Sequence, residues 1–325
     1  MAPPGEGSGA ARETGLKRWG MGLGKALLTV LVTWLILRGA GFSLAEAGDL
    51  DMSIVDPDPV FLATSVAVLL AAFVLQAWLW SRIMAAFGEP GVPLHVAASL
   101  VMVANLGRYI PGKIFQLAGL AVLARRAGLS AVRAGAAAVA AQVVNLLAAA
   151  VLGAWVAYES PALPDGVALA AGLTALLGLS GFICFGGAGA LLGWVRRRSG
   201  HEGDLPTPGA PAFLAWLAGY LLSWLVYGLA FYCLTRGLGL GVPLPAAATA
   251  FAGAYLVGYV LLFAPAGIGV REGVLAALVA PWAGQGGGLV LAGMQRVWIT
   301  AVEFAGAGLG AIVLRKPAPA AEEDR

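Results

Sequence analysis

Long apolar runs without a charged side chain dominate the hydrophobic pattern of this chain. They cover residues 60–80, 134–158, 166–195, 205–235 and 237–270. Each run reaches the roughly 20 apolar residues that a helix needs to cross a bilayer, whereas strands of a membrane barrel alternate apolar and polar residues. The pattern predicts an all-α integral membrane protein built as a polytopic helical bundle.

The composition agrees with this class. Hydrophobic residues make up 60% of the 325 positions and charged residues 11%, whereas soluble domains carry about 25% charged residues. The two ends are rich in proline, alanine and polar residues, which is typical of disordered tails. We therefore predict tails at residues 1–15 and 317–325 around one membrane domain, residues 16–316.

Several function classes receive no support from the sequence. The net charge is +3 and the basic residues are scattered between apolar runs, which argues against nucleic-acid binding. Both cysteines lie inside apolar runs and both histidines stand far apart, so no metal site or other cofactor is predicted. The sequence contains none of the hydrolase, metalloprotease or phosphate-loop motifs that we sought, and we expect no enzyme activity.

The basic residues predict the orientation of the helices. Three of them precede a first apolar run at 26–37, which places the N-terminus in the cytoplasm; a signal peptide cleaved near residues 45–47 is the alternative. In the topology that follows, 14 basic residues lie inside, 2 lie outside and 4 lie within membrane segments. The C-terminus is then cytoplasmic as well, and six helices span the membrane.

Residues 90–124 are predicted to enter the membrane and return on the same side. Pro111 and Gly112 break this stretch into two parts, of which 114–124 is too short to span. A single crossing would place Arg125, Arg126 and Arg133 outside, whereas a re-entrant pair of half-helices keeps them inside.

A second broken segment stands in a matching position. Residues 263–273 contain proline and three glycines, about 150 residues after the first break. Units 59–158 and 211–314 would enter from opposite sides, which predicts an inverted repeat with two re-entrant broken helices and a central binding site. Alternatively, 242–263 and 273–295 both span, and Arg271 and Glu272 lie in a cytoplasmic turn.

Charged residues within membrane segments are costly and therefore indicate function. The candidates are Arg108, Lys113, Arg271, Glu272, Arg296 and Glu303. Their charges sum to +2, because four are cations and two are anions. We expect Glu303 to pair with Arg271 or Arg296 and Glu272 to pair with Arg108, and we expect the remaining cations to bind an anion such as a phosphate. The alternative is that these cations bind no ligand and reach the membrane surface instead, Arg108 and Lys113 at the inner interface and Arg296 at the outer interface.

Uncharged polar residues accompany the first break. Asn105, Gln116, Gln142 and Asn145 lie in or beside the first unit. Amides inside membrane helices either line a site or bond neighbouring helices, and both interpretations stay open.

The two broken segments carry a resemblance to a known family. The patterns Arg-x-Ile-Pro-Gly-Lys at 108–113 and Pro-x-Gly-Ile-Gly-x-Arg-Glu at 265–272 resemble the transmembrane flippase region of lysylphosphatidylglycerol synthases and their stand-alone relatives. The resemblance covers about residues 59–314. It implies a lipid-translocating module of the bacterial cytoplasmic membrane, with matching positions Arg108, Lys113, Gln116, Arg271 and Glu272.

Two departures from that family limit what is transferred. The soluble aminoacyl-transferase domain is absent from this sequence, so synthesis of an aminoacylated lipid is not expected. The arginine that many relatives carry one turn after the glutamine is also missing, because residues 117–120 are Leu-Ala-Gly-Leu.

Three functions remain as hypotheses. The first is a flippase or transporter that moves an anionic phospholipid or a polyprenyl-phosphate-linked lipid. The second is a polytopic glycosyltransferase that uses a polyprenyl-linked sugar and the outer-loop residues Asp49, Asp51, Asp56 and Asp58. The third is a non-transporting accessory subunit of a lipid-modifying enzyme or glycosyltransferase.

Overall fold

The computed structural model describes residue 34 and residues 55–89, 91–109, 114–159, 206, 208–260 and 269–315. Seven α-helices occupy these ranges, and a 3-10 helix, Leu106–Tyr109, follows the second of them. The α-helices are α1 Pro59–Ala86, α2 Leu94–Asn105, α3 Ile114–Arg126, α4 Ala131–Glu159, α5 Ala210–Gly237, α6 Leu244–Val260 and α7 Val270–Arg315.

The described part of the chain is mostly helical and contains no strand, and four helices are long and apolar enough to cross a membrane. These are α1, α4, α5 and α7. Helix α7 is interrupted at Gly284, where φ is +71°, so it consists of two segments. The predicted all-α membrane class is confirmed. The predicted spans at 26–37 and 166–195 and both tails lie outside the described residues.

Local sequence explains where α1 begins. The Asp58 carboxylate accepts hydrogen bonds from the backbone N–H groups of Val60 (2.8 Å) and Phe61 (3.2 Å). Proline at position 59 has no N–H to satisfy and a φ angle suited to the first turn. Asp58 therefore has a structural role as a helix cap.

The two halves of the described fold repeat the same elements. Helices α1 and α5 each contain 28 residues, and each is followed by a glycine with positive φ, Gly88 or Gly239. The tetrapeptide Gly-Val-Pro-Leu then recurs at 91–94 and 241–244, where α2 and α6 begin. This internal repeat was not predicted from the sequence. The inversion relative to the membrane stays a prediction.

Helices α1 and α5 pack antiparallel along their whole length. At one end the Asp58 N–H donates to the Gly237 carbonyl (3.0 Å), and nearer the other end Leu79 lies against Gly219. Glycine at these positions allows the close approach of the helix backbones, as is common in membrane bundles.

The segment that contains α2 and α3 begins and finishes at the same end of the helical bundle. Glu89, which follows α1, accepts hydrogen bonds from the Ser130 N–H (3.2 Å) and the Arg133 guanidinium (3.2 Å), which lie just before and within α4. Arg133 is thus at the same end as the C-terminus of α1. This placement is what a re-entrant segment requires, and re-entry into the membrane stays a prediction.

Candidate functional site

Three joined cavities lie between the 3-10 helix and helices α1 to α7. The first is lined by charged, aromatic and amide side chains: Arg108, Tyr109, Gln116, Tyr255, Arg271, Arg296 and Glu303 among others. A second cavity shares Arg108, Gln116, Tyr255 and Arg271 with it. A third is lined by amide, aromatic and aliphatic side chains. Gln116 borders all three, so we treat them as one chamber.

One arginine of the chamber is neutralised by a buried glutamate. The Arg108 Nη1 donates to Glu303 Oε1 at 2.6 Å, and the Glu303 side chain is 2% exposed. The Tyr109 hydroxyl donates to the other carboxylate oxygen at 2.6 Å and also lies 3.2 Å from the Thr300 hydroxyl. Glu303 therefore joins the 3-10 helix to the second segment of α7.

A second ion pair joins the two segments of α7. The Arg296 Nη1 lies 3.3 Å from Glu272 Oε1. The other Glu272 oxygen accepts the backbone N–H of Gly269 at 2.6 Å, so this side chain also caps the start of α7. The Arg296 guanidinium additionally lies 5.5 Å from the centre of the Tyr109 ring.

The predicted ion pairs were wrong in their partners. Glu303 pairs with Arg108 instead of Arg271 or Arg296, and Glu272 pairs with Arg296 instead of Arg108. The cause is the antiparallel packing of α2 against the second segment of α7, which places Arg108 beside Glu303. Arg296 lines the chamber, and its alternative place at the outer interface stays a prediction.

Arg271 is the cation without a carboxylate partner among the described residues of the chamber. It is 5% exposed, and its Nε and Nη2 atoms have no hydrogen-bond partner among the described residues. Its guanidinium lies over the rings of Phe251 (4.8 Å) and Tyr255 (5.7 Å). Cation–π contacts offset part of the cost of burying this charge, but they leave those N–H groups unsatisfied, which is costly in an apolar surrounding.

The charge of the described part of the chamber is +1, since three arginines face two glutamates. Lys113, which the sequence analysis placed in the site, lies outside the described residues. Three guanidinium nitrogens of the chamber have no hydrogen-bond partner among the described residues, namely Nε of Arg108 and Nε and Nη2 of Arg271. A chamber with these donors and one excess positive charge is suited to an anion with several acceptor oxygens, such as a phosphate.

The amide side chains form the uncharged half of the chamber. The Gln116 side-chain amide donates to the side-chain oxygen Oδ1 of Asn105 at 2.7 Å. Gln142 and Asn145 both donate to the Tyr255 hydroxyl, at 3.4 and 3.3 Å, and these bonds are long. These four amides were predicted to be near the site, whereas Tyr255 was not. Gln76, which donates to Asn145 at 3.5 Å, was not predicted either, although it is the sole amide of the 60–80 run.

Gly107 determines how Arg108 and Gln116 come together. A Cβ atom on Gly107 would lie 2.7 Å from the Gln116 backbone nitrogen and 2.8 Å from its Cα. Real side chains do not approach backbone atoms this closely, so the 3-10 helix and α3 can pack in this way because residue 107 has no side chain.

The structure brings together most of the predicted site residues. Those that line the chamber are Asn105, Arg108, Gln116, Gln142, Arg271 and Glu303, and Glu272 contacts it through Arg296. The outer-loop aspartates give no comparable cluster among the described residues, because Asp58 caps α1 and Asp49 and Asp51 lie outside them.

Apolar helices around a chamber of arginine, glutamate and amide side chains define a multi-pass membrane protein with a buried polar site. Residues 22–305 match the family described as the lysylphosphatidylglycerol synthase TM region. The chain belongs to this family, as its motifs indicated. Comparison with curated proteins finds no match.

Proposed function

We propose that this protein is a lipid flippase or transporter that moves an anionic phospholipid or a polyprenyl-phosphate-linked lipid across the bacterial cytoplasmic membrane. Membership of the family and the apolar helices support a role in membrane lipid metabolism or transport. In this proposal both termini are cytoplasmic, the headgroup enters the chamber, and the acyl or prenyl chains stay in the surrounding lipid.

The observation that carries the proposal is the buried guanidinium of Arg271, whose Nε and Nη2 atoms have no hydrogen-bond partner among the described residues. A buried cation is retained in a membrane helix when it serves a ligand or an ion pathway. Arg271 also lies in the first turn of α7, where the helix dipole and free N–H groups attract an anion. A lipid phosphate would satisfy both the charge and the two donors.

The neighbouring ion pairs supply a means of release. Arg108 and Arg296 each have a glutamate partner in the same chamber. A phosphate that leaves Arg271 can exchange with these carboxylates for Arg108 or Arg296 as it moves along the chamber. Binding is then strong enough for entry and weak enough for release.

Translocation in proteoliposomes tests this proposal. Fluorescently labelled phosphatidylglycerol is incorporated on both sides, and its loss after addition of a membrane-impermeant quencher measures movement. We expect Arg271→Lys, which keeps the charge but loses the planar pair of donors, to lower the rate at least about tenfold. The control is Arg82→Gln, at an exposed arginine of α1, which should keep the wild-type rate. Equal rates for wild type and Arg271→Lys would contradict the proposal.

The same experiment separates the other hypotheses. We propose that the chain has no catalytic activity of its own, and that any lipid-modifying enzyme or glycosyltransferase is a partner. An accessory subunit would move no lipid when reconstituted alone. A glycosyltransferase would lose activity on substitution of Asp49 and Asp51, whereas a transporter should tolerate both changes.

A further inference from the structure

The uncharged half of the chamber contains its own unsatisfied donor. The indole nitrogen of Trp80 is buried and has no hydrogen-bond partner among the described residues. Trp80 borders the same cavity as Gln76, Gln142 and Asn145. Those amides make hydrogen bonds of 3.3 to 3.5 Å with each other and with Tyr255, so a ligand with better geometry can replace them.

The chamber therefore has two kinds of donor at two places. The guanidinium donors of Arg271 belong to the charged half, and the Trp80 indole and the amides belong to the neutral half. Each amide also offers an acceptor oxygen. A group that both donates and accepts hydrogen bonds, such as a hydroxyl, suits the neutral half. A second phosphate suits it less well, because no cation lines that cavity among the described residues.

The aromatic residues of the neutral half favour a ring. Trp80 and Tyr220 line the neutral half, and Trp224 and Tyr227 line the adjoining cavity in which Gln142 and Asn145 lie near Arg108 and Arg271. Flat aromatic faces with a few fixed polar groups bind ligands that have apolar C–H faces and polar edges. A polyhydroxylated ring has both features, because its C–H bonds form the faces and its hydroxyls form the edge.

A cationic headgroup does not fit the described chamber. Both glutamates of the described chamber are already paired with arginines. The aromatic faces of Phe251 and Tyr255 are occupied by the guanidinium of Arg271. An ammonium group would meet excess positive charge instead of a free carboxylate.

We propose that the ligand is a phosphodiester that carries an uncharged polyhydroxyl ring, and this proposal rests on the transport function above. The phosphate binds Arg271, and the ring lies against Trp80, Gln142 and Asn145. Two lipids share this chemistry, a glycerophospholipid with an inositol ring and a polyprenyl phosphate that carries one hexose.

Native mass spectrometry of the full chain in detergent micelles tests the proposal by direct binding. The probes are phosphatidylinositol and phosphatidic acid with identical acyl chains, phosphatidylethanolamine, and a polyprenyl phosphohexose. We expect phosphatidylinositol to bind about tenfold tighter than phosphatidic acid, and phosphatidylethanolamine to bind weakest. The polyprenyl probe distinguishes the sources, since tighter binding than phosphatidylinositol assigns the prenyl carrier and weaker binding assigns the glycerophospholipid.

Three variants separate recognition of the ring from recognition of the phosphate. Gln142→Met keeps the size of the side chain and Trp80→Phe keeps an aromatic ring, but both lose the polar group. Each should bring the ratio of the affinities for phosphatidylinositol and phosphatidic acid close to one. Arg271→Gln should weaken both lipids and leave the ratio unchanged. Gln285→Met is the control for loss of an amide that does not line the chamber, and it should change neither affinity.

Equal binding of phosphatidylinositol and phosphatidic acid to the wild type would overturn the proposal, as would preference for phosphatidylethanolamine. If Gln142→Met does not fold, Trp80→Phe decides, and an unchanged ratio in that variant contradicts the assignment. The transport assay keeps the two claims apart. Selective binding without movement rejects the proposed transport, whereas movement of both anionic lipids without selective binding rejects the ring.

Discussion

The carboxylate of Glu303 should be worth several kcal/mol to the fold. Its oxygen lies 2.6 Å from Arg108 Nη1, and its side chain is 2% exposed while that of Arg108 is 23% exposed. At an effective dielectric constant of 20, Coulomb's law gives about 6 kcal/mol of gross attraction at this distance. Desolvation cancels much of this, but removing one partner leaves a buried charge, which costs about 3–5 kcal/mol. We expect Glu303→Gln to lower the free energy of unfolding by about 3 kcal/mol, the low end of this range, because glutamine retains one hydrogen bond.

The pair between Glu89 and Arg133 provides a matched control. The two charged atoms are 3.2 Å apart, but the Arg133 side chain is 37% exposed. Because solvent screens the attraction, Glu89→Gln should lower the free energy of unfolding by at most about 1 kcal/mol. Reversible unfolding in mixed micelles measures both variants. The double variant Arg108→Gln, Glu303→Gln should recover most of the loss, because neither charge is then left alone. Equal losses for Glu303→Gln and Glu89→Gln would refute the reasoning.

Three other substitutions test separate features of the site. Gly107→Ala should destabilise the fold by about 1–3 kcal/mol and lower transport, because its Cβ would lie 2.7 Å from the Gln116 backbone. Unfolding and translocation assays measure the two effects, and wild-type values in both would contradict this packing. Tyr109→Phe removes a 2.6 Å bond to Glu303 and should cost about 1.5–3 kcal/mol in the same unfolding assay, a loss that is absent if the bond does not form. Glu272→Gln keeps the acceptor for the Gly269 N–H but raises the chamber charge to +2. Native mass spectrometry should therefore show several-fold tighter binding of phosphatidylglycerol. Unchanged or weaker binding would argue against an electrostatic site.

The chemistry of the site was predictable from the sequence because charges in apolar runs are expensive. Arg108, Arg271 and Glu303 stand out for this reason alone, and the structure places all three around one chamber. Their pairing was not predictable, because it depends on the register between α2 and the second segment of α7. Contacts of Gly306 with Met102 and of Gly310 with Ser99 determine that register, and such long-range contacts leave no local pattern.

The aromatic residues of the chamber were missed for a related reason. Trp80 and Tyr255 lie within apolar helices, where aromatic side chains usually pack against neighbours, and nothing in their spacing marks them as site residues. The repeat of Gly-Val-Pro-Leu at 91–94 and 241–244 was a usable signal. This tetrapeptide matches the start of α2 to the start of α6 residue by residue, whereas the positions of the two helix breaks relate the two halves only approximately.

The most direct test of the central claim is a structure of the protein in lipid nanodiscs that contain phosphatidylinositol. The account predicts a lipid phosphate in the chamber, with oxygens about 2.8 Å from Nε and Nη2 of Arg271. The Arg108–Glu303 pair should still be present beside it. A structure in which every lipid phosphate lies at the membrane surface and a protein side chain satisfies Arg271 would contradict the account.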